Sequence, residues 1–199
     1  METFLGLMIG IGLSAACGFR VFIPLLGMSI AVHTGHVALS PGFDWIGSWP
    51  ALIAFGTATL LELGAYFIPW VDHLMDAVMT PAAVVAGTIL TASVMLDVSP
   101  FFKWSLAAIA GGGVASLVQV GTLAMRATSS GTTGGLGNPV VSTGELIASI
   151  AMTILAILVP ILCAVLVIWV CIWAIRKLFR SPAMVRTPNS PVPRAPHSQ

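Results

Sequence analysis

Three ionisable residues lie inside apolar stretches of this 199-residue sequence: Arg20, Glu62 and Glu145. A charged side chain in the middle of a membrane costs roughly 2.5–3.5 kcal/mol on insertion scales, so such residues pair with one another or line a path for ions or protons. The sequence is compatible with both roles. In either role we expect Arg20 to lie within ion-pair distance of an acidic side chain inside the protein, with Glu62 as the favoured partner.

Three further charged residues lie near the ends of apolar runs. Asp72 and Asp76 are one helical turn apart and would share a helix face, and Arg126 follows a long apolar run. Two aspartates supply too few oxygens for a hard cation, which takes roughly six to eight. His33 and His36 alone are likewise too few for a metal ion. No metal site is therefore predicted.

A polar stretch, residues 126–145, separates two apolar runs and reads RATSSGTTGGLGNPVVSTGE. Its Ser, Thr and Gly residues favour turns and caps over a continuous helix. Asn138 and Pro139 then predict a new helix, with Asn138 as its N-terminal cap. We expect residues 131–139 to enter the interior of the protein as non-helical backbone. The alternative is an ordinary loop between two transmembrane helices.

The composition identifies the class of protein. Hydrophobic residues make up 57% of the chain and charged residues 8%, against about 25% charged residues in soluble domains. The net charge of +1 and the absence of a nucleic-acid-binding motif argue against a DNA or RNA partner. The chain is predicted to be an integral membrane protein with membrane lipids as its surroundings.

The apolar runs predict five or six membrane spans, since about 20 apolar residues cross a bilayer. Residues 3–43 are too long for one simple span, and Gly18 and Pro24 predict a break or kink beside Arg20. The thirty uncharged residues 146–175 are interpreted as one long helix kinked at Pro160, although a hairpin of two short spans fits as well. Three more spans are predicted at residues 51–68, 81–96 and 104–125.

The predicted domain organisation is a transmembrane helical domain, residues 1–178, followed by a basic, proline-rich tail, residues 179–199. Low hydrophobicity and many prolines predict that the tail is disordered. Its excess of Arg places the C-terminus in the cytoplasm by the positive-inside rule. With five spans the N-terminus would then lie outside, and with six it would lie inside.

Two patterns concern helix packing. Small residues recur every fourth position in the first run, at Gly6, Gly10, Ser14 and Gly18, which allows another helix to approach closely. That helix belongs either to the same chain or to a second copy in a homodimer.

A weak internal echo, in which Thr80–Pro81 and Asn138–Pro139 each open an apolar helix, hints at the inverted repeats of some transporters.

Several short segments together resemble a known family. They are GFRVFIPLL from Gly18, WVD from Trp70 with Asp76 and Thr80–Pro81, and TTGGLGNPVVSTGE from Thr132. This combination resembles the bacterial membrane family called domain of unknown function four-one-two-six, over residues 3–178. The resemblance implies a multi-pass protein of a bacterial inner membrane and implies no reaction.

We therefore predict an all-α, polytopic transmembrane helical bundle with interrupted helices and, at most, a weak inverted repeat. The favoured function is a small transporter or channel-like protein with a polar site inside the membrane. The alternatives are a scaffold or accessory subunit, which transports nothing, and an enzyme acting on lipid, for which no catalytic motif or cofactor site is present. The predicted pathway residues are Arg20, Glu62, Asp72, Asp76, Arg126, Asn138 and Glu145.

Overall fold

The computed structural model of the chain describes residues 2–65, 69–134 and 137–180, with backbone only for 69–74 and 178–180. The predicted tail, apart from its first two residues, lies outside this part. Helices fill the described chain, which contains no strand, so the all-α bundle is confirmed. The eight helices are α1 (Glu2–Phe19), α2 (Phe22–His33), α3 (Trp49–Ala65), α4 (Pro69–Ser93), α5 (Pro100–Leu106), α6 (Gly113–Thr133), α7 (Asn138–Leu158) and α8 (Pro160–Arg180).

Five apolar stretches in the described residues are long enough to cross a membrane: Glu2–Phe19, Met75–Ser93, Pro100–Thr133, Asn138–Leu158 and Pro160–Lys177. The helices α2 and α3 are apolar but shorter. The protein is therefore a multi-pass membrane protein, as predicted. Helix α8 continues to Arg180, two residues beyond the predicted domain boundary.

The first apolar run breaks beside Arg20, as predicted, and the break reverses the chain. Helix α1 runs antiparallel to α7, because Ala16 contacts Ser149 while Gly12, one turn earlier, lies against Ala156. Helix α2 then runs back along α7, where Gly27 lies against Thr153. The proline at position 24 contributes by removing one backbone donor and by clashing with the carbonyl one turn earlier. The two helices form a V-shaped hairpin that is covered by α7.

The small-residue stripe of α1 packs against α4 and α6 of the same chain. A Cβ atom on Gly6 would lie 2.1 Å from the carbonyl oxygen of Val94, so only glycine fits there. The Ser14 hydroxyl lies 2.9 Å from both the Gly87 carbonyl and the Thr91 hydroxyl. This is the intramolecular alternative. A homodimer through the same stripe stays a prediction, and it would require α1 to separate from α4.

Helix α4 is longer than the predicted third span and begins before Pro81. That proline lies inside the helix and does not open it, so the predicted boundary at Pro81 is wrong. The Thr80 hydroxyl donates to the Asp76 carbonyl at 2.8 Å, and the surrounding bundle holds the helix through the missing hydrogen bond. The proposed echo between Thr80–Pro81 and Asn138–Pro139 therefore loses one of its two breaks.

The predicted fourth span is extended at both ends. A π-helical segment, Ala107–Gly112, joins α5 to α6 and lets the backbone approach α4 closely, with Gly111 against Thr91. Helix α6 continues to Thr133, so the first half of the predicted polar loop is helical. Threonine hydroxyls that donate to carbonyls four residues earlier accompany this extension, for example Thr128 to Ala124 at 2.8 Å.

The last apolar run forms two helices, and the predicted single kinked helix is wrong. Helix α7 ends at Leu158 and α8 begins at Pro160. The residue between them, Val159, has a non-helical backbone with φ −137° and ψ 66°, and a following proline disfavours the helical conformation at this position. The Cys163 thiol reaches the Met152 carbonyl at 3.9 Å, so the two helices form an antiparallel hairpin.

The connections between the helices lie at two opposite ends of the bundle. Near the N-terminus, the Thr3 hydroxyl donates to the Leu96 carbonyl at 3.2 Å and the Ser40 amide to the Ser93 carbonyl at 2.7 Å. The α7–α8 turn lies at this end too, which we call the N-terminal end. The end of α6, the start of α7 and the end of α8 lie at the opposite, C-terminal end. The break at Arg20 lies between the two ends, inside the bundle.

Candidate functional site

Arg126 on α6 is the centre of a buried group of charges. Its guanidinium donates from Nε to Glu145 Oε1 at 2.9 Å, and from Nη2 to the second oxygen of the same carboxylate. From Nη1 it donates to Asp76 Oδ1 on α4 at 2.7 Å. The two-point contact with Glu145 fixes both side chains, because the planar guanidinium matches the carboxylate.

Arg20 joins this group at the break between α1 and α2. Its Nη2 lies 3.9 Å from Glu145 Oε2 and donates to the Ser142 carbonyl at 3.1 Å and to the Ser142 hydroxyl. The predicted ion pair with an acid inside the bundle is confirmed. The favoured partner was wrong, since the ion pair is made with Glu145 and not with Glu62.

Glu62 on α3 has a different partner. Its Oε1 accepts the amide of Val21 at 3.0 Å and its Oε2 accepts the amide of Phe22 at 3.2 Å. These two donors would bond within a continuous helix, and the break frees them. A carboxylate at the N-terminus of a helix also opposes the positive end of the helix dipole. Glu62 is therefore the cap of α2, a role that the sequence did not indicate.

We call Arg20, Glu62, Asp76, Arg126 and Glu145 the charge cluster. It brings three carboxylates and two guanidinium groups together from α3, α4, α6, α7 and the α1–α2 break. In the described part of the chain, no three His, Cys, Asp or Glu side chains have the geometry of a metal site.

The exposed fraction of the side chains rises across the cluster from Arg20 and Glu145 toward Asp76. The side chains of Arg20 and Glu145 are 1% exposed, that of Arg126 is 9% exposed and that of Asp76 is 22% exposed. Arg126 lies seven residues before the end of α6, and Glu145 lies seven residues after the start of α7. Seven residues correspond to about 10 Å of helix. The cluster is therefore nearer the C-terminal end, and it reaches the surface at Asp76.

The two remaining predicted pathway residues are Asn138 and Asp72. Asn138 bonds to the Ser130 side chain, with its amide nitrogen 3.1 Å from the hydroxyl. It is the first residue of α7 and not its cap, since the cap position is occupied by Gly137. Asp72 is on α4, one turn before Asp76, and its side chain lies outside the described part.

The predicted entry of residues 131–139 into the interior is wrong where the structure describes them. Gly131 and Gly134 are exposed, and no neighbouring atom lies within 4 Å of a Cβ atom built on either residue. Gly134 has a positive φ of 62°, which ends α6 in the usual glycine conformation. The glycines here serve a short surface connection, and Gly135 and Leu136 lie outside the described residues. The buried break in the backbone is the one at Arg20.

A row of hydroxyl groups on α7 was not predicted from the sequence. Ser142, Ser149 and Thr153 follow the helical spacing of Glu145 and share its face, and Ser149 and Thr153 are buried. The Ser149 hydroxyl donates to the Ala16 carbonyl at 3.1 Å, and Thr153 donates to the Ser149 carbonyl at 2.7 Å. The spacing of three, four and four residues along the sequence was the signal that could have predicted this shared face.

The comparison with known families agrees with the motifs in the sequence. The model of the family described as Domain of unknown function (DUF4126) matches residues 7–179. The chain belongs to this family. No curated protein and no solved structure matches the chain. The family description carries no activity, so a function has to be argued from the charge cluster.

Proposed function

We propose that the protein is a small membrane transporter or channel-like protein for a monovalent cation, the proton included, and that the charge cluster is its site. The observation that carries this proposal is the convergence of five charged side chains, from five parts of the bundle, beside a break in a helix. Broken helices with charged residues at their ends are typical of ion and substrate sites in transporters.

The cost of burying these charges supports a role beyond packing. Each charge placed in a membrane costs free energy, and buried ion pairs rarely add net stability compared with apolar residues of the same size. Close packing of small residues, as between Gly6 and Val94, already joins α1 to α4. The cluster is thus an expensive way to hold helices together, and ionisable residues inside a membrane are by default candidates for function.

The balance of charges supports a cation. Three carboxylates face two guanidinium groups in the charge cluster. The free amides at the start of α2, which would otherwise suit an anion, already bond to Glu62. A cation or a proton that reaches Asp76 or Glu62 would bring the cluster closer to neutrality.

The proposed orientation places the C-terminal end of the bundle in the cytoplasm of a bacterium, with the protein in the inner membrane. The Lys177 ammonium lies 5.0 Å from the centre of the Trp173 ring near the end of α8. Trp and Lys side chains favour the level of the lipid headgroups, and Lys and Arg favour the cytoplasmic side. Asp76, the exposed member of the cluster, would then be reached from the cytoplasm.

Flux measurements on purified protein in liposomes test the proposal. Vesicles would carry a pH-sensitive dye, or a sodium- or potassium-sensitive dye, and a gradient of the matching ion would be imposed. We expect flux with the wild type and a loss of flux with Glu145→Gln. Asp44→Asn, which neutralises an exposed acid away from the cluster, is the matched control and should conduct normally.

The absence of flux for protons, sodium and potassium would reject the proposal. The scaffold or accessory subunit, which needs no path, would then be the better interpretation. Equal flux with Glu145→Gln would show that transport occurs by a route that does not involve the charge cluster.

A further inference from the structure

A polar stripe on α7 leads from the charge cluster toward the N-terminal end of the bundle. It consists of Ser142, Glu145, Ser149 and Thr153, and the hairpin of α1 and α2 covers it. The segment from Ser142 to Thr153 spans about 16 Å of helix. The stripe thus continues the line of polar groups that begins at the surface with Asp76.

A cleft opens at the N-terminal end, above this stripe. It has a volume of about 330 Å³ and lies between α2 and the last turns of α7. Its lining includes Gly27, Ile30, Thr34, His36, Thr153 and Leu158. Thr153 belongs both to the cleft and to the α7 polar stripe, so the cleft ends where the stripe begins.

One contact between α2 and α7 separates the cleft from the buried part of the stripe. A Cβ atom on Gly27 would lie 2.4 Å from the Thr153 methyl group, which is too close for any side chain. The two helices therefore touch, with no space for an ion between them. Because Ser149 is fully buried one turn below, the closed part of the path begins at this contact.

Helix α2 packs mainly on α3 and α7, and two of its features favour a second position. Its N-terminus is capped by Glu62, an ionisable side chain from a different helix. The hydroxyl of Ser29, at the middle of α2, is buried and has no hydrogen-bond partner. A buried hydroxyl without a partner is unfavourable, so α2 would gain from a second position in which Ser29 is bonded or hydrated.

We propose that α2 is the gate of the site on the N-terminal side. It closes the path by packing Gly27 on Thr153, and it opens by moving away from α7 when the cap provided by Glu62 loosens. The inference rests on the proposed transport function. It adds which element moves, where the path is closed and which residue holds the closed position.

A reversible cross-link tests the gate directly. The Cβ position of Gly27 lies 3.8 Å from the Thr153 Cβ atom, which is the usual separation in a disulfide. The pair Gly27→Cys and Thr153→Cys would be introduced into a chain in which Cys17, Cys163 and Cys171 are replaced by Ala. We expect oxidation to lower the flux relative to the reduced form of the same variant, and reduction to restore it.

A second cross-link serves as the control. The Cβ position of Gly47 lies 3.4 Å from the Val32 Cβ atom, so Gly47→Cys with Val32→Cys would attach the far end of α2 to the neighbouring turn and not to α7. Its oxidation should leave flux intact. Unchanged flux in the oxidised Gly27–Thr153 pair would overturn the gate while leaving the transport function in place.

Thiol labelling provides a measurement that does not depend on transport. We expect Ser149→Cys, in the same cysteine-free background, to react slowly with a small charged methanethiosulfonate reagent. Adding Glu62→Gln should raise that rate by about fivefold, the factor that corresponds to the loss of one helix cap. Leu90→Cys, equally buried on α4, should stay unreactive.

If Ser149→Cys stays as unreactive as Leu90→Cys in both backgrounds, α2 does not open and the gate is wrong, whatever the flux. Conversely, faster labelling with Glu62→Gln in a protein that moves no ion would retain the mobile α2 and reject the proposed transport function.

Discussion

Replacing Arg126 by Gln should destabilise the protein more than any other single neutralisation in the charge cluster. The Arg126 guanidinium bonds to both Glu145 and Asp76, so its removal leaves two carboxylates without their shared partner. Replacing Glu145 by Gln is milder, because Arg126 keeps Asp76 at 2.7 Å and Arg20 keeps the Ser142 carbonyl at 3.1 Å. The new amide also has an oxygen that accepts a hydrogen bond.

The expected loss of stability follows from the burial of the two carboxylates. Removing one partner of a fully buried ion pair costs about 3–5 kcal/mol. Glu145 is 1% exposed, but Asp76 is 22% exposed and recovers part of its hydration. We therefore expect about 3 kcal/mol for Arg126→Gln and about 1–2 kcal/mol for Glu145→Gln. For a chain of this length, 1 kcal/mol lowers the unfolding midpoint by about 2–4 °C, so Arg126→Gln should lower it by about 6–12 °C.

Thermal unfolding of the purified variants in one detergent, followed by the loss of monodisperse protein, measures these differences. The double variant Arg126→Gln with Glu145→Gln should be more stable than the sum of the two single effects predicts. The coupling should fall within about 0.5–3 kcal/mol, the range for residues in contact. Asp44→Asn controls for removing a charge and should leave the midpoint unchanged.

Additive effects in the double variant would refute this reasoning, since they would show that Arg126 and Glu145 act independently. A loss of less than about 1 kcal/mol for Arg126→Gln would also refute it. Either result would mean that the two carboxylates are hydrated or protonated in the native state, in which case Arg126 is not needed to balance them.

Three further predictions concern other parts of the bundle. Glu62→Gln should speed hydrogen exchange of the amides at the start of α2, measured by mass spectrometry, and leave the amides of α1 protected. Exchange at the start of α2 equal to that of the wild type would show that the cap is dispensable. Gly6→Ala should reduce the yield of folded protein, because its Cβ atom would lie 2.1 Å from the Val94 carbonyl, whereas Gly56→Ala, with open space around it, should not. Deletion of residues 181–199 should leave the unfolding midpoint in detergent unchanged; a marked drop would show that the tail contributes to folding.

Composition and hydrophobic runs were enough to predict the all-α membrane bundle and the break beside Arg20. They could not predict the α7–α8 turn, because Pro160 stops the helix through the conformation that it imposes on Val159, without the usual cluster of turn residues. The helical start of the polar stretch was not predicted, because its residue types favour a loop. Thr128 and its neighbours bond to carbonyls of their own helix, and α6 continues where composition favours a loop.

Three members of the charge cluster, Arg20, Glu62 and Glu145, were predictable from cost alone, since an ionisable residue in an apolar run needs a partner. The pairing was not predictable. Glu62 and Glu145 are both acids inside apolar helices, and only the three-dimensional arrangement brings Glu145 to Arg126 and Arg20 and brings Glu62 to free backbone amides. Sequence spacing shows which residues share a face of a helix but not which other helix packs against that face.

A comparison of two breaks in the chain explains why the proposed site lies at Arg20 and not in the glycine-rich stretch. At Gly134 the backbone is exposed and turns with a positive φ, so water satisfies its polar groups and the residues need no special partner. At Val21 the freed amide is buried, and it donates to the Glu62 carboxylate. A proton or a cation that neutralises the Glu62 carboxylate would weaken this cap and favour a second position of α2. This is the property that a gated path for cations needs, and it is absent from a break that water alone can stabilise.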